Sequence, residues 1–255
     1  MFNQRNNSPF GRNNAFGSSS YQYQAAPYGL EGVQASGLIA KVMGLLAFSF
    51  LFATIGTFVG FLVFSSAGWS VGTYWLVALA GLVVLFALNF LIQKPGINLF
   101  LLYLFTFLEG MSLSPLISAY MSAGTRGANI LGEAFLITAV TSFALAIYAW
   151  TTKRDFSGLR DYLFFGVILL LVVSIIGIFL GSFFNTGLFG LIISFFGVAI
   201  FSGYILYYIQ RARYMADTMP NAIGLTVSLF ITILNLFLYI LRILSILQGG
   251  NNRRN

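Results

Sequence analysis

One carboxylic acid stands inside a long apolar run of the sequence. Glu109 lies in the stretch FLEGMSLSP, followed by Ser112 and Ser114 and then by Pro115. An ionised side chain at the centre of a bilayer costs about 3 kcal/mol on insertion scales, so intramembrane acids usually face the protein interior and mark a pathway. Proline cannot donate to the carbonyl of Met111, which would free that oxygen beside the acid. We therefore predict that Glu109, Ser112, Ser114 and Pro115 form a cation path or a proton sensor.

The alternative for Glu109 is structural: a protonated acid that is hydrogen-bonded by a neighbouring helix. Burial changes the protonation equilibrium of a carboxyl group, so a response to pH is expected even if no ion binds. Two more polar residues lie in the last apolar segment. Asn235 is a candidate hydrogen-bond partner between helices, and Arg242 can either reach the interface by extending its side chain or pair with an acid.

The composition predicts that lipid covers most of the chain. Hydrophobic residues make up 58% of the 255 residues and charged residues only 7%, whereas soluble domains carry roughly a quarter charged residues. The chain has no cysteine and no histidine, which excludes disulfides, thiolate chemistry and histidine metal sites. It also lacks the HExxH, P-loop and GxSxG motifs and a pair of intramembrane aspartates. We therefore expect neither an enzyme nor a cofactor, and the sequence leaves open whether a metal ion is bound.

Seven apolar segments follow one another, each near or above the roughly 20 residues that a membrane-spanning helix needs. Their continuous apolar runs differ from the alternating pattern of a membrane barrel. The predicted fold is therefore an all-α bundle of seven transmembrane helices with short connections and no second domain. The segments are 39–65, 74–93, 97–121, 130–152, 162–184, 188–210 and 222–247.

The two ends of the chain differ from this apolar region. Residues 1–36 are rich in Asn, Gln, Ser and Gly and show no periodicity, which is typical of a disordered tail. They contain no apolar stretch of the kind a signal peptide needs. Residues 249–255 form a short polar tail. The predicted organisation is thus a tail over 1–36, a transmembrane domain over 37–248 and a C-terminal tail.

The basic residues predict an orientation. If the N-terminus is cytoplasmic, one side of the membrane receives nine basic residues and the other loops receive only Arg126, a strong positive-inside bias. The net charge of +7 thus needs no nucleic-acid partner. Arg253 and Arg254 would fall outside after seven crossings, so either they are tolerated there or the last segment does not cross fully. The nine residues are Arg5, Arg12, Lys41, Lys94, Lys153, Arg154, Arg160, Arg211 and Arg213.

Small residues at four-residue spacing indicate helix contacts, because they let backbones approach closely in lipid. General packing within the bundle is the first interpretation and a homodimer face is the second; the oligomeric state is not predicted. The residues are Gly56 and Gly60 in the first segment, Gly110, Ser114 and Ser118 in the third, and Gly177 and Gly181 in the fifth.

Four segments between about residues 38 and 247 resemble recurrent segments of the Bax inhibitor-1 family, also called the transmembrane Bax inhibitor motif family. They are FTFLEGMSLSPL, YAWTTKRDFSGL, FSGYILYYIQ and SLFITILNLFLYILRIL. The resemblance implies a seven-helix fold with a central last helix, and in studied members a pH-sensitive calcium leak. The composition is similar to that of a prokaryotic member, so the bacterial cytoplasmic membrane is the expected location.

The sequence departs from the family where the family's pH sensor is expected. That sensor is a pair of aspartates, and Tyr208 and Thr232 stand at the matching positions. Neither side chain carries a negative charge near neutral pH. Two functions stay open. One is a leak for calcium or another cation governed by Glu109; the other, which some bacterial relatives suggest, is a non-conducting modulator of a membrane protease that docks through the N-terminal tail.

Overall fold

The computed structural model describes residues 24–25, 31–67, 71–180 and 187–249, and seven α-helices account for nearly all of them. Each helix contains a stretch that is long and apolar enough to cross a membrane. The predicted all-α fold of seven transmembrane helices is therefore confirmed. The helices are α1 Glu31–Ala67, α2 Val71–Leu91, α3 Ile97–Ser122, α4 Gly124–Thr151, α5 Leu159–Leu180, α6 Gly187–Ala212 and α7 Met219–Gly249.

The helices form two compact units. The first contains α1, α2, most of α3 up to Ala119, and the chain from Arg211 to Phe230. The second contains the chain from Tyr120 to Gln210 and α7 from Ile231 onward. Among the described side chains of α7, only those of Met219 and Leu247 are exposed, as the family resemblance implies for a central last helix.

Large apolar side chains cover the exposed surface of several helices. Exposed apolar patches of this extent on a soluble monomer would mark an interaction surface, and in a seven-span protein they are the surface that meets lipid. The most exposed examples on α2, α4 and α5 include Leu76, Val83, Phe90, Phe135, Leu136, Phe165 and Leu169.

Helix α1 begins at Glu31, six residues before the predicted start of the transmembrane domain at residue 37. The buried residues Ala35, Leu38 and Val42 follow a helical spacing that starts inside the predicted tail. The apolar count located the membrane span, and it missed the polar first turns of the same helix. The rest of the predicted tail, apart from residues 24–25, lies outside the described residues, as do Gly181 and residues 250–255.

Helix α4 also begins earlier than predicted, at Gly124, and a single residue, Ala123, separates it from α3. Gly124 has a φ of +71°, a backbone conformation that glycine adopts readily and that suits a tight turn between two helices. The stretch GTRGAN, predicted as a loop, is therefore the first turn and a half of α4. Glu133 consequently lies beyond the first turn of that helix.

Both ends of α7 contact other parts of the chain, each within its own unit. At its start, Asn221 donates from its side-chain amide to the carbonyl of Gln24, which precedes α1 in the chain. Its last turn lies beside the start of α4, because Arg126 donates to the carbonyl of Gln248 and the Gln248 amide donates to Glu133 at 2.7 Å. Within α7 the stretch Met219–Gln248, 30 residues long, is long and apolar enough to cross a membrane.

Candidate functional site

Helices α1 and α3 pack closely in the first unit through the small residues that the sequence singled out. A methyl group at Gly56 or Gly60 would collide with the chain of α3, and one at Gly110 would collide with the backbone of Ala53. The Thr57 hydroxyl lies 2.8 Å from the Gly110 carbonyl and 3.0 Å from the Ala53 carbonyl. For Gly56, Gly60 and Gly110, packing within the bundle is thus the interpretation that the contacts support.

Pro115 lies inside α3, which stays helical from Ile97 to Ser122. The sequence predicted a free carbonyl at Met111, since a proline nitrogen cannot donate to it. In the structure the Ser114 hydroxyl donates to that carbonyl at 2.7 Å, so the carbonyl oxygen has a partner. Ser114 is 1% exposed and lies where a methyl group at Gly60 would touch it. Its hydroxyl therefore replaces the hydrogen bond that proline removes.

Glu109 lies at the midpoint of α3, and its carboxylate is directed at α2. A methyl group at Gly81 would lie 3.4 Å from Glu109 Oε1, so the absence of a side chain at Gly81 leaves room for the carboxylate. Within the described part of the chain the carboxylate makes no hydrogen bond and no ion pair, and the residue is half-buried. The Ser112 hydroxyl donates to the Glu109 backbone carbonyl at 2.8 Å. Ser112 thus contacts the backbone carbonyl of Glu109.

Tyr208 belongs to an aromatic cluster in the second unit. Its ring stacks on that of Tyr204, with centroids 5.4 Å apart, and meets the ring of Tyr207 edge-on. Tyr204 in turn meets Phe201, which stacks on Tyr239 of α7 at 5.8 Å. The position that holds an acid in the resembled family is here part of an uncharged aromatic row.

The other predicted polar residues of α7 lie in the same unit. Thr232 is 3% exposed. Asn235 donates to the carbonyl of Ile231 in its own helix at 2.8 Å, and Arg242 is half-buried in the same helix. The predicted site residues thus divide into two sets: Glu109, Ser112, Ser114 and Pro115 in the first unit, and Tyr208, Thr232, Asn235 and Arg242 in the second. Among the described residues, no three acids, cysteines or histidines are grouped to hold a metal ion.

Sequence reasoning missed Thr57 and Gly81, which meet the middle of α3. Thr57 directly follows the first glycine of the α1 pair, and a hydroxyl at that place in a close helix contact could have been noticed as a partner for the facing backbone. Gly81 carried no signal, because only the fold places it opposite Glu109.

Comparison with known proteins agrees with these features. A family model described as "Inhibitor of apoptosis-promoting Bax1" matches residues 35–249. A Helicobacter pylori protein of strain J99, named as uncharacterized, is 34% identical over 78% of this chain and 81% of its own length. An "Uncharacterized membrane protein" of Vibrio cholerae is 32% identical over 71% of this chain and 80% of its own.

A viral relative is also similar. A protein of Vaccinia virus strain Lister, named "Golgi anti-apoptotic protein", is 29% identical over 82% of this chain and 84% of its own length. The matched region contains all seven helices except the first turn of α1. The resemblance found in four short segments is therefore confirmed over the whole transmembrane region, and the chain belongs to the Bax inhibitor-1 family.

Proposed function

We propose that this protein is a cation leak in the membrane, with calcium among the ions it passes, and that the charge of Glu109 controls the flux. The observation that carries the proposal is the acid at the centre of α3, whose carboxylate faces Gly81 and has no hydrogen-bonding or charged partner within the described residues. An acid at that depth is costly to keep without a use. A negative charge there attracts cations, and protonation removes the attraction.

The α1–α3 contact holds hydroxyl oxygens of the kind that a hard cation binds. Calcium is bound by carboxylates, carbonyls and hydroxyl or water oxygens. The Thr57 and Ser114 hydroxyls each donate to a backbone carbonyl, which leaves their oxygen lone pairs as acceptors. In this proposal the carboxylate of Glu109 attracts the cation without a full set of ligands, as a leak requires, since tight binding would stop release.

The test is calcium flux into liposomes that contain the purified protein, measured from pH 5 to 8. We expect flux in the wild type to fall as the pH is lowered, because protonation removes the negative charge of Glu109. Glu109→Gln should lower the flux at pH 8 about tenfold, equivalent to about 1.4 kcal/mol, and remove most of the pH dependence, because the charge that attracts cations is gone.

The matched control is Glu133→Gln. Glu133 is an exposed acid that accepts a hydrogen bond from Gln248 near the end of α7, so its neutralisation should leave both flux and pH dependence close to the wild type. Unchanged flux and pH dependence in Glu109→Gln would refute the assigned role of this acid, even if the protein conducts.

A second candidate is a non-conducting modulator of a membrane protease. The observation that favours it is the aromatic row at Tyr208, which has no acid where the family sensor is expected. No flux at any pH in wild-type liposomes would support this candidate. Pull-down with the full chain and with a chain lacking residues 1–23 would then show whether a protease is bound through the tail, while α1 and residues 24–25 stay intact.

For the location, we propose the bacterial cytoplasmic membrane with the N-terminus in the cytoplasm. The distribution of basic residues supports this orientation, because the α2–α3, α4–α5 and α6–α7 connections hold Lys94, Lys153, Arg154 and Arg213, and cytoplasmic loops are enriched in such residues.

A further inference from the structure

Asn221 is held in a fixed position at the start of α7. Thr218 precedes the helix, and its hydroxyl lies 3.4 Å from the Asn221 backbone nitrogen, which is the arrangement of a helix N-cap. Pro220 stands in the first turn, where its missing N–H costs nothing. The Asn221 side chain is fully buried and donates to the Ala216 carbonyl at 2.8 Å. The α6–α7 loop and its own helix thus orient this amide.

The buried amide of Asn221 contacts both main-chain groups of one distant residue. Its Oδ1 accepts from the Gln24 nitrogen at 3.1 Å, and its Nδ2 donates to the Gln24 carbonyl at 2.9 Å. The same carbonyl accepts from the Ala216 nitrogen at 2.8 Å, and Ala25 pairs with Met215 in an antiparallel β-bridge. A side-chain amide that pairs with the N–H and C=O of one residue recognises an extended main chain, independently of the side chain.

The start of α1 contacts the same loop through Asp217. Lys41 Nζ lies 2.9 Å from Asp217 Oδ1, and the Gln34 amide oxygen accepts from the Asp217 nitrogen at 3.2 Å. A methyl group at Gly37 would lie 2.6 Å from Asp217 Oδ2, so this carboxylate needs the glycine. The loop is therefore held from two directions, by residues 24–25 and by the first turns of α1.

We propose that the α6–α7 loop and Asn221 form a binding site for an extended peptide main chain, and that Gln24–Ala25 of the same molecule is its resident ligand. The ligand class is a peptide in β-conformation, recognised through its backbone in the manner of strand addition to a sheet edge. Gln24–Ala25, the first turns of α1 and the α6–α7 loop then act as one clasp at the start of α7. This assignment is independent of whether the protein conducts ions.

The test uses a disulfide in the full-length chain, which has no native cysteine. Residues opposite each other in an antiparallel pair have Cβ atoms about 5 Å apart, so Ala25→Cys with Met215→Cys should form a disulfide after a small shift. Membranes treated with copper phenanthroline as the oxidant should show a fast intramolecular cross-link. The control pair is Ala25→Cys with Lys94→Cys, since Lys94 is exposed and its backbone bonds stay within the α2–α3 turn.

Two further variants test the mode of recognition. Asn221→Ala should slow the cross-link about tenfold, because three side-chain hydrogen bonds are lost, whereas Gln24→Ala should leave its rate unchanged, because the contacts use the main chain. If Asn221→Ala is not recovered as a folded protein, Asn221→Asp decides instead, since it keeps the acceptor and loses both donors. A cross-link no faster than the control pair, or one that neither Asn221 variant slows, would overturn the proposal.

Discussion

Ser114 and Pro115 show how a single residue can preserve a helix across a proline. The serine hydroxyl takes the place of the missing backbone donor and satisfies the Met111 carbonyl. In lipid an unsatisfied backbone group costs several kcal/mol, so the compensation matters more there than on a soluble surface. The pair thus allows a proline six residues after the central acid without breaking α3.

We expect Ser114→Ala to destabilise the protein more than Ser112→Ala. Ser114→Ala leaves the Met111 carbonyl without a donor, at a cost of about 1–3 kcal/mol. Ser112 donates to the Glu109 carbonyl, which can still accept from Leu113 in the helix, so its loss should cost less than about 0.5 kcal/mol. Thermal unfolding in the same detergent compares the two variants. Equal melting temperatures would show that the Ser114 hydrogen bond does not contribute more to stability than that of Ser112.

At the scale of elements, α1 and α3 pack closely. Of the described glycines in the first unit, Gly56 and Gly110, which lie in this contact, have the nearest neighbouring atoms. Ala53, Gly56 and Gly60 present backbone to Gly110 and Ser114, and Thr57 adds a hydrogen bond across the contact. Lipid tails are as apolar as leucine, so close packing and hydrogen bonds must hold these helices together. The position of Glu109 beside Gly81 depends on this contact, because it sets the rotation of α3.

Gly110→Ala should separate α1 from α3. The added methyl would collide with backbone atoms of Ala53, which cannot move aside as a side chain can, and overpacking of this kind costs about 1–3 kcal/mol. Gly44→Ala is the control, because nothing lies within 4 Å of a methyl group at that position. The melting temperature in detergent should fall by several degrees in the first variant and stay level or rise in the second. A stable Gly110→Ala protein would argue against the close contact.

For the whole molecule, the path of the chain predicts that the two ends lie on opposite sides of the membrane. The start of α7 contacts Gln24, and its last turn contacts Arg126 and Glu133 near the start of α4. If all seven helices cross, Arg253 and Arg254, which lie outside the described residues, are expected on the side with few basic residues. The positive-inside bias tolerates such an exception when the inner loops carry most of the charge.

Single cysteines added to the cysteine-free chain can test this path. Thr125→Cys and Leu247→Cys are at exposed positions and should both react with a membrane-impermeant maleimide in intact cells. Lys153→Cys, also exposed, should react only after the membrane is permeabilised. If Leu247→Cys reacted in the manner of Lys153→Cys, the last helix would not cross fully; if all three labels were reversed, the proposed orientation would be wrong while the path would hold.

Composition and local pattern alone predicted that the protein lies in a membrane, how many helices it has and where Glu109 lies within α3. Each of these properties depends on runs of about 20 neighbouring residues, for which lipid imposes a strong and local rule. The starts of α1 and α4 were missed, because their first turns are too polar to register as membrane spans. The family resemblance could be recognised from the sequence, because each of its four segments is a contiguous run of residues.

Only the tertiary structure decided which groups meet. The carboxylate of Glu109 faces Gly81, the amide of Asn221 holds the main chain of Gln24, and the Lys41 ammonium pairs with Asp217. The partners are 28, 197 and 176 positions apart in the chain, so no local period relates them. Such contacts follow from the rotation of each helix about its axis, which is set by the packing of small residues and by the few polar bonds across each contact.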